Sequence, residues 1–415
     1  MMKRGVEYEK RAGVDYVRFH GAITDPHMHP RIFDARLDYE AEEPNGKAGL
    51  DKYTKAALLG GIARGLAMGN ESIRLTDPEN PERTILHPYP LTTVDRILAA
   101  ASLIIQQSHM RVGINMLVDR NIIGLGDDAD RQTFTAKYIR RIFSSPEVRN
   151  NVAALKIFGD ESTGGFNIPP ELVLPVACEW NKYNPDKPVI VHLEDEHVGE
   201  VAEEWPADTP LYVAHVSSQQ ELEPLIEQIE NGKIIYVEAT PHHLSLTSAT
   251  KEALGGLGCM KPSLKSTSDV KFLWDNLKYI HVFGSDCAPH RPLDKLGPSP
   301  AFGVANHDIF MPFFLQKVAE GTLTEQELYG RIVENPRRIF NLPHLDAEAE
   351  FMLKEISAEE ATEHTEYGCS PFPLSPESPK LLGKLMYLKI VGRLAVRYSR
   401  LMEAAAPSYK SLIQF

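Results

Sequence analysis

The sequence predicts an α/β fold, a (β/α)8 TIM barrel with a reduced C-terminal appendage of strands and irregular segments. Two observations predict it: short apolar runs alternate with amphipathic stretches, and nearly every run ends in an ionisable residue. Parallel strands that are buried on both faces read as continuous apolar runs. Eight runs have this character: residues 17–23, 64–68, 111–118, 153–158, 189–192, 211–215, 234–239 and 281–284.

The stretches between the runs have helical periodicity at residues 130–143, 171–182, 221–230 and 270–277, and a long helix is predicted from residue 308. This alternation also fits an open, doubly wound sheet. The strand ends favour the barrel, because there all strand ends meet on one face, where the active site lies. The ionisable strand-end residues are His27, His29, Lys156, His192, His215, Glu238 and Asp286.

The character of the sequence changes near residue 346. Residues 348–366 are acidic, a Pro/Ser-rich stretch extends to Pro379, and residues 381–396 resume an apolar pattern suited to one or two strands. We therefore predict a barrel domain over residues 1–345 and an appendage over residues 346–415 that packs on the barrel.

Composition narrows the range of functions. The chain has 415 residues, 43% of them hydrophobic and 24% charged, and its formal net charge is −13. The first two values are ordinary for a globular protein. The negative charge argues against binding to nucleic acid or to an anionic membrane, since both are held mainly by Lys and Arg. A small anionic substrate stays compatible with it, provided that cations cluster locally.

The cysteines and the N-terminus bear on the compartment. Cys178, Cys259, Cys287 and Cys369 are far apart and lack metal-ribbon spacing, which is typical of reduced thiols. The N-terminus has no apolar stretch like that of a secretory signal. No run of about 18 apolar residues predicts a membrane span. We expect a soluble, cytoplasmic protein.

The first chemical motif places His27 and His29 between Asp25 and Arg31, directly after the first run. Residues i and i+2 of an extended chain point to the same side, so both imidazoles can reach one metal ion. A lone pair of this kind is more often a surface or hydrogen-bonded pair. Its weight depends on the other strand ends.

Lys156 lies inside the apolar run Ala-Leu-Lys-Ile-Phe, where a bare ammonium is costly to bury. Such a lysine needs a partner or a covalent change. Carboxylation by carbon dioxide would give it two anionic oxygens that can bridge two cations. The simpler alternative is a lysine whose ammonium extends past the strand end into solvent.

Two more histidines, His192 and His215, end consecutive runs, and Asp286 ends the last one. Each histidine alone could be a hydrogen-bonded core residue, but neutral imidazole is also the commonest metal ligand. With His27, His29 and Lys156 they form a nitrogen and oxygen ligand set that suits zinc, and manganese or cobalt accept the same ligands. The set predicts a two-metal centre.

From about Ile23 to Pro343 the sequence resembles the dihydroorotases of the amidohydrolase superfamily. The matching segments are DPHMHPR, ALKIFGDESTGG, VIVHLED, YVAHVSS, VEATPHHLSLT, FGSDCAPH and NPRRIFNLP. Residues 270–290 are particularly similar to the dihydroorotase domain of the multifunctional animal protein of pyrimidine synthesis. The resemblance implies an amidohydrolase-type barrel that reversibly hydrolyses (S)-dihydroorotate to N-carbamoyl-L-aspartate in de novo pyrimidine biosynthesis.

The resemblance also implies roles for individual residues. His27, His29 and Asp286 would hold one zinc ion, His192 and His215 the other, and N6-carboxylated Lys156 would bridge them. Asp286 would be the catalytic acid and base. The residues implied for substrate binding are Arg31, Asn70 and His290, which match positions that bind the substrate carboxylate, and Thr163, which lies beside Ser162 in a loop that closes over the site.

The sequence departs from the family pattern in places that bear on the substrate more than on the metals. Gly69-Asn70-Glu71 stands where the family usually has Pro-Asn-Thr, residues 261–265 replace an Asn-Pro-Pro-Leu-Arg stretch, and Cys287 replaces a histidine. Most of the N-terminal β-segment found in many relatives is missing, so we expect the companion sandwich to be reduced or absent.

Two other interpretations stay open. Hydantoinases, dihydropyrimidinases and allantoinases share the metal ligands and act on similar cyclic amides. Some relatives have lost catalysis and act as scaffolds for aspartate carbamoyltransferase, although these typically lose ligands and all six are present here. A homo-oligomer and an active enzyme associated with aspartate carbamoyltransferase are both compatible with the sequence.

Overall fold

The computed structural model describes residues 2–3, 5–33, 49–76, 84–119, 137, 139–161, 165–290, 292–357, 360–361, 370–372, 380–402 and 412–414. Its strands within these ranges are β1 (Met2–Lys3), β2 (Val6–Arg11), β3 (Val14–His20), β4 (Thr24–Met28), β5 (Arg64–Ala67), β6 (Ser72–Thr76), β7 (Thr84–Pro88), β8 (Arg111–Val118), β9 (Val152–Phe158), β10 (Val189–His192), β11 (Leu211–Val213), β12 (Ile235–Ala239), β13 (Val282–Phe283), β14 (Ala347–Ile356), β15 (Leu381–Ile390), β16 (Arg393–Arg397) and β17 (Arg400–Leu401).

The α-helices in the same ranges are α1 (Gly49–Leu59), α2 (Val94–Gln107), α3 (Pro146–Asn151), α4 (Pro170–Tyr183), α5 (Glu196–Glu204), α6 (Gln219–Glu230), α7 (Ser248–Leu254), α8 (Thr267–Asp275), α9 (Pro292–Leu296), α10 (His307–Ala319), α11 (Glu325–Tyr329) and α12 (Asn335–Ile339). Short 3-10 turns cover Gly255–Gly258 and Leu277–Tyr279, and a π-turn covers Gly330–Glu334. No helix in the described ranges is long and apolar enough to cross a membrane.

Eight parallel strands form the predicted barrel, in the order β4-β5-β8-β9-β10-β11-β12-β13. A parallel bridge between Met28 and Cys287 joins the two ends of this sheet. Almost every residue of these strands is buried, because side chains fill the interior and helices cover the outside. The fold class predicted from the sequence is therefore confirmed.

A second, seven-stranded antiparallel sheet has the order β1-β2-β3-β14-β15-β16-β17. It combines N-terminal strands with strands of the predicted appendage, and Phe19 of β3 pairs with Ala349 of β14. The N-terminal β-segment therefore contributes three strands, β1, β2 and β3, to this single companion sheet. The alternation of Val17 and Phe19, both buried, with the more exposed Arg18 and His20 is typical of an antiparallel strand with one covered face.

The first predicted barrel strand, residues 17–23, was also wrong, because those residues mostly form β3. The first barrel strand is β4, whose sequence Thr-Asp-Pro-His-Met is polar and yet wholly buried. The other seven predicted runs coincide with barrel strands to within a few residues. Most of the predicted helix at residues 130–143 lies outside the described residues. Residues 139–143, which are described, are helical.

Helix α10 connects the barrel to the second sheet. Its Phe314 stacks on Phe283 of β13, with ring centroids 4.0 Å apart, and the helix also packs against β15. Both rings are fully buried, and burial of a phenylalanine side chain contributes about 1.5–3 kcal/mol. This packing fixes the end of β13 three residues before Asp286.

Candidate metal centre

The predicted metal ligands meet at the carboxyl-terminal ends of the barrel strands. His27 lies in β4, Lys156 in β9 and His192 at the end of β10, while His29, His215 and Asp286 directly follow β4, β11 and β13. All of them except Lys156 line a cleft of about 460 Å³, a volume that includes its open mouth. The cleft is lined by His27, His29, Arg31, Asn70, Phe158, His192, His215, Lys261, Asp286, Ala288, Phe302 and Gly303.

His27, His29 and Asp286 form the first half of the centre. The Oδ1 atom of Asp286 lies 3.2 Å from His27 Nε2 and 3.0 Å from His29 Nε2. All three side chains are buried, and one ligand atom from each lies within 4.8 Å of the others. Two imidazoles and a carboxylate at this spacing fit a single divalent ion.

His192 and His215 form the second half. His192 Nδ1 lies 2.9 Å from His215 Nε2, and the His215 ring centroid lies 5.2 Å from that of His27. Burial lowers the pKa of both His192 and His215, which favours the neutral imidazole that binds metal. The two halves therefore lie side by side.

Lys156 is fully buried and its Nζ has no hydrogen-bond partner among the described residues. It lies 4.7 Å from the centroid of the Phe158 ring. Burial lowers the pKa of Lys156 to about 8, so more of its amine is neutral near neutral pH than in an exposed lysine. Neutral amine is the form that reacts with carbon dioxide, so an unpartnered lysine here fits a carboxylated bridge. The alternative of an ammonium reaching solvent is wrong.

Three predicted site residues have strained backbones. Arg31, His215 and Asp286 have φ values of 52°, 40° and 48°, in the left-handed region that residues with a Cβ rarely adopt. Such strain costs about 1–3 kcal/mol per residue and tends to concentrate at functional sites. The surrounding packing holds these loops in a conformation that they would otherwise avoid.

Glu238 orients His27 and the backbone of His215 through hydrogen bonds, a role that the sequence did not assign. His27 Nδ1 donates to its Oε1 at 2.8 Å, as does the backbone N–H of His215 at 3.1 Å, and the Tyr212 hydroxyl donates to Oε2 at 2.7 Å. The bond to Nδ1 fixes the His27 tautomer and leaves Nε2 free to bind metal. The position of Glu238 near the end of β12 was the signal in the sequence for this role.

Asp25 and His307 form a second contact that positions the segments carrying the metal ligands, and the sequence did not reveal it. Asp25 accepts hydrogen bonds from the backbone N–H groups of His27 and Ser285, at 3.1 and 3.0 Å, and lies 3.1 Å from His307 Nε2. Burial alone would lower the pKa of His307, but Cys287 and Asp25 raise it to about 10. The resulting buried ion pair connects β4, α10 and the segment that carries Asp286.

The predicted substrate-binding residues differ in what they can offer. Asn70 is buried and its Oδ1 accepts from His29 Nδ1 at 2.9 Å, which leaves its NH₂ group for a ligand. Gly69 before it is required, since a Cβ would lie 2.7 Å from the Asn115 carbonyl oxygen. Arg31 lines the cleft, whereas Thr163 and its neighbour Ser162 lie outside the described residues.

His290 is turned toward the protein. Its Nε2 donates to the Phe302 carbonyl at 2.8 Å, and burial lowers the pKa of His290 to about 3. The Nδ1 of such a neutral ring is an acceptor, so His290 could donate a hydrogen bond to a carboxylate only as the imidazolium. Arg31 and Asn70 are therefore the better placed donors.

Comparison with known proteins relates the chain to dihydroorotases. No family model matches the chain. It is 26% identical over 393 residues to the "Multifunctional protein CAD" of Squalus acanthias, covering 91% of the chain but only 15% of that protein. It is 25% identical over 391 residues to the "Dihydroorotase" of Thermococcus kodakarensis, covering 92% of the chain and 84% of the relative.

Solved structures give the same fold. The L-hydantoinase of Arthrobacter aurescens matches with a TM-score of 0.70 at 17% identity, over 94% of this chain and 87% of that one. The inactive dihydroorotase-like domain of a Chaetomium thermophilum CAD-like protein matches with a TM-score of 0.65 at 16% identity, over 94% and 97%. The resemblance found in the sequence is confirmed: this chain has homologues named dihydroorotase and the fold of the amidohydrolases.

Proposed function

We propose that this protein is a dihydroorotase of pyrimidine biosynthesis that works with two divalent metal ions. One observation carries the proposal: His27, His29 and Asp286 converge on one point beside the His192–His215 pair, at the base of a cleft lined by Arg31. The Thermococcus kodakarensis relative named dihydroorotase, which aligns with 92% of the chain, supports the same reaction.

We propose zinc as the metal. His27, His29 and Asp286 would hold one ion and His192 and His215 the other, with carboxylated Lys156 between them. The unpartnered Nζ of buried Lys156 and the convergence of His192 Nδ1 and His215 Nε2, 2.9 Å apart, support this assignment, since a buried polar atom without a partner is costly. When bound, such ions would acidify a water molecule and polarise the amide carbonyl.

The residues of the chain supply the remaining chemistry. The guanidinium of Arg31 presents a planar fork to the substrate carboxylate, and the NH₂ group of Asn70 adds a donor. Burial alone would raise the pKa of Asp286, but His27 and His29 hold it well below its usual range, so the group starts as a carboxylate. Asp286 accepts the proton of the attacking water and gives it to the ring nitrogen as the C–N bond breaks.

A hydantoinase-like activity is the second candidate. The metal ligands would serve any cyclic amide, and His290 donates to the Phe302 carbonyl rather than into the cleft, which removes one expected contact with a substrate carboxylate. The scaffold interpretation is disfavoured because the described ligands form a compact buried cluster. Association with aspartate carbamoyltransferase is a separate proposal, supported by the match to one part of a multifunctional protein.

The deciding experiment compares dihydroorotate with dihydrouracil, which lacks the carboxylate. A site with buried donors rejects an analogue that leaves them unpaired, by a factor that can reach about 10⁴ in kcat/KM. Arg31→Met should erase most of that preference, whereas Arg140→Met, which removes an exposed arginine paired with Glu179, should not. Equal kcat/KM for both substrates in the wild type would overturn the dihydroorotase assignment and leave cyclic-amide chemistry standing.

A further inference from the structure

Lys261 is a cation of the cleft wall to which no role has yet been given. It lies between the Gly255–Gly258 turn and α8, in a segment whose backbone is anchored on both sides. His243 Nε2 donates to the Pro262 carbonyl at 3.1 Å, and Lys295 Nζ donates to the Cys259 carbonyl at 2.7 Å. These contacts hold Lys261 at a defined place beside the cleft.

The ammonium of Lys261 is oriented but weakly paired. Its Nζ lies 3.7 Å from Glu161, whose side chain is 86% exposed, and 4.0 Å from Glu194. It also lies 5.5 Å from the centroid of the Phe302 ring. Both ion pairs are longer than a hydrogen bond, and Lys261 makes no hydrogen bond to any described residue. A ligand carboxylate could therefore bind it without displacing a short contact.

Lys261 and Arg31 both line the cleft that contains the metal centre. Arg31 is two residues from His29, which belongs to the first half of the centre and whose ring is bonded to Asn70. Glu194, the neighbour of Lys261, lies 3.3 Å from His192 Nε2, which belongs to the second half. A ligand bound at the centre would therefore meet both cations in the same cleft, with Lys261 beside the second half.

Ring opening creates a molecule with this charge pattern. Dihydroorotate has one carboxylate, and hydrolysis of its amide turns the carbonyl carbon into a second one. We propose that Lys261 forms an anion subsite for this second carboxylate, so that the cleft recognises the ring-opened N-carbamoyl amino acid as a dianion. The inference rests on the proposed dihydroorotase function and names a further specificity-determining residue for it.

The test uses two inert inhibitors that differ in one charge. N-acetyl-L-aspartate carries both carboxylates but has no ureido nitrogen with which to close a ring, and N-acetyl-L-asparagine has a neutral amide in place of the second carboxylate. Inhibition constants are measured against dihydroorotate opening by the metal-loaded protein. Lys261→Met should weaken inhibition by N-acetyl-L-aspartate about tenfold, as expected for a charge-assisted contact. Inhibition by N-acetyl-L-asparagine should change by less than about twofold.

Two further variants separate charge at the subsite from general effects. Lys261→Arg should keep most of the selectivity for the dianion. Lys265→Met removes a lysine four positions away whose Nζ is bonded to Asp195 at 2.6 Å, and it should leave both inhibition constants unchanged. Metal content and thermal unfolding of each variant report whether the centre and the fold are intact.

The outcomes distinguish this inference from the proposed function. Wild-type protein that opens dihydroorotate but binds both inhibitors equally, or a Lys261→Met variant that weakens both to the same degree, would overturn the subsite and leave the dihydroorotase assignment intact. Wild-type protein that does not open dihydroorotate would overturn the function on which the subsite depends.

Discussion

The two halves of the metal centre differ in how far the protein alone satisfies their polar atoms. In the first half, His27 donates to Glu238, His29 donates to Asn70, and both rings contact Asp286. In the second half, Lys156 Nζ and His215 Nδ1 are buried and lack a hydrogen-bond partner among the described residues, and His192 Nε2 has only a 3.3 Å contact with Glu194.

This difference shows which half depends more on its ligands. A buried polar group without a partner costs about 1–3 kcal/mol. The first half is held in place by its supporting residues, so it should keep its arrangement and an ion when single contacts are lost. The second half should be completed by a metal ion and a carboxylated lysine, and should be the first to fail.

The largest expected effect is on turnover, in Asp286→Asn. The amide keeps an oxygen for an ion but cannot relay a proton, so kcat for dihydroorotate should fall by about 10²–10⁴ while the protein retains at least one ion. The measurement pairs steady-state kinetics with metal analysis, and Asp275→Asn, at an exposed helical aspartate, is the control. A loss of only two- or threefold would exclude Asp286 as the proton carrier.

Lys156→Ala tests the second half directly. Loss of one ion should remove several kcal/mol of transition-state stabilisation, which corresponds to about 10³ in kcat. Metal content should fall from about two ions per chain to about one, and short carboxylic acids such as acetate should partly restore activity.

The matched control for Lys156→Ala is Lys187→Ala. Lys187 is also buried and burial lowers its pKa to about 8, but its Nζ donates to the backbone carbonyls of Arg149 and Val152. Its loss should lower the unfolding temperature and leave the number of bound ions unchanged. Full activity and two ions in Lys156→Ala would show that Lys156 is only structural.

Sequence patterns found the barrel because its strands are buried on both faces and form apolar runs. They failed where that rule does not hold. The first barrel strand contains Asp25 and His27 and was overlooked, and β14 was read as an acidic segment although Ala347, Ala349 and Phe351 alternate with glutamates. Period-two alternation was the signal in β14, and only the pairing of β14 with β3 explains its burial.

The residues of the site also differ in whether the sequence could predict them. The metal ligands were predictable because strand ends of a barrel converge whatever their separation in sequence. The residues that position these ligands were not predictable. The Glu238–His27 contact joins residues 211 positions apart, and the His307–Asp25 contact joins residues 282 positions apart. Such contacts depend on register and packing between distant elements, which no local pattern encodes.

The smallest of these effects, and the one that best sharpens the comparison, is expected for Glu238→Gln. Three donors surround the Glu238 carboxylate: His27 Nδ1–H, the His215 N–H and the Tyr212 hydroxyl. A glutamine has one acceptor oxygen, so its NH₂ group must face at least one of these donors, and the His27 ring is no longer held in the tautomer that leaves Nε2 for metal. Zinc affinity, measured by competition with a chelator, should fall by about 10–100-fold, with kcat at saturating zinc much less affected.

Glu221→Gln is the control, because Glu221 is also buried and accepts from backbone N–H groups of Ser217 and Asp195 but contacts no metal ligand. Unchanged zinc affinity in Glu238→Gln would mean that His27 is held by packing alone, and the first half would then be no better supported than the second.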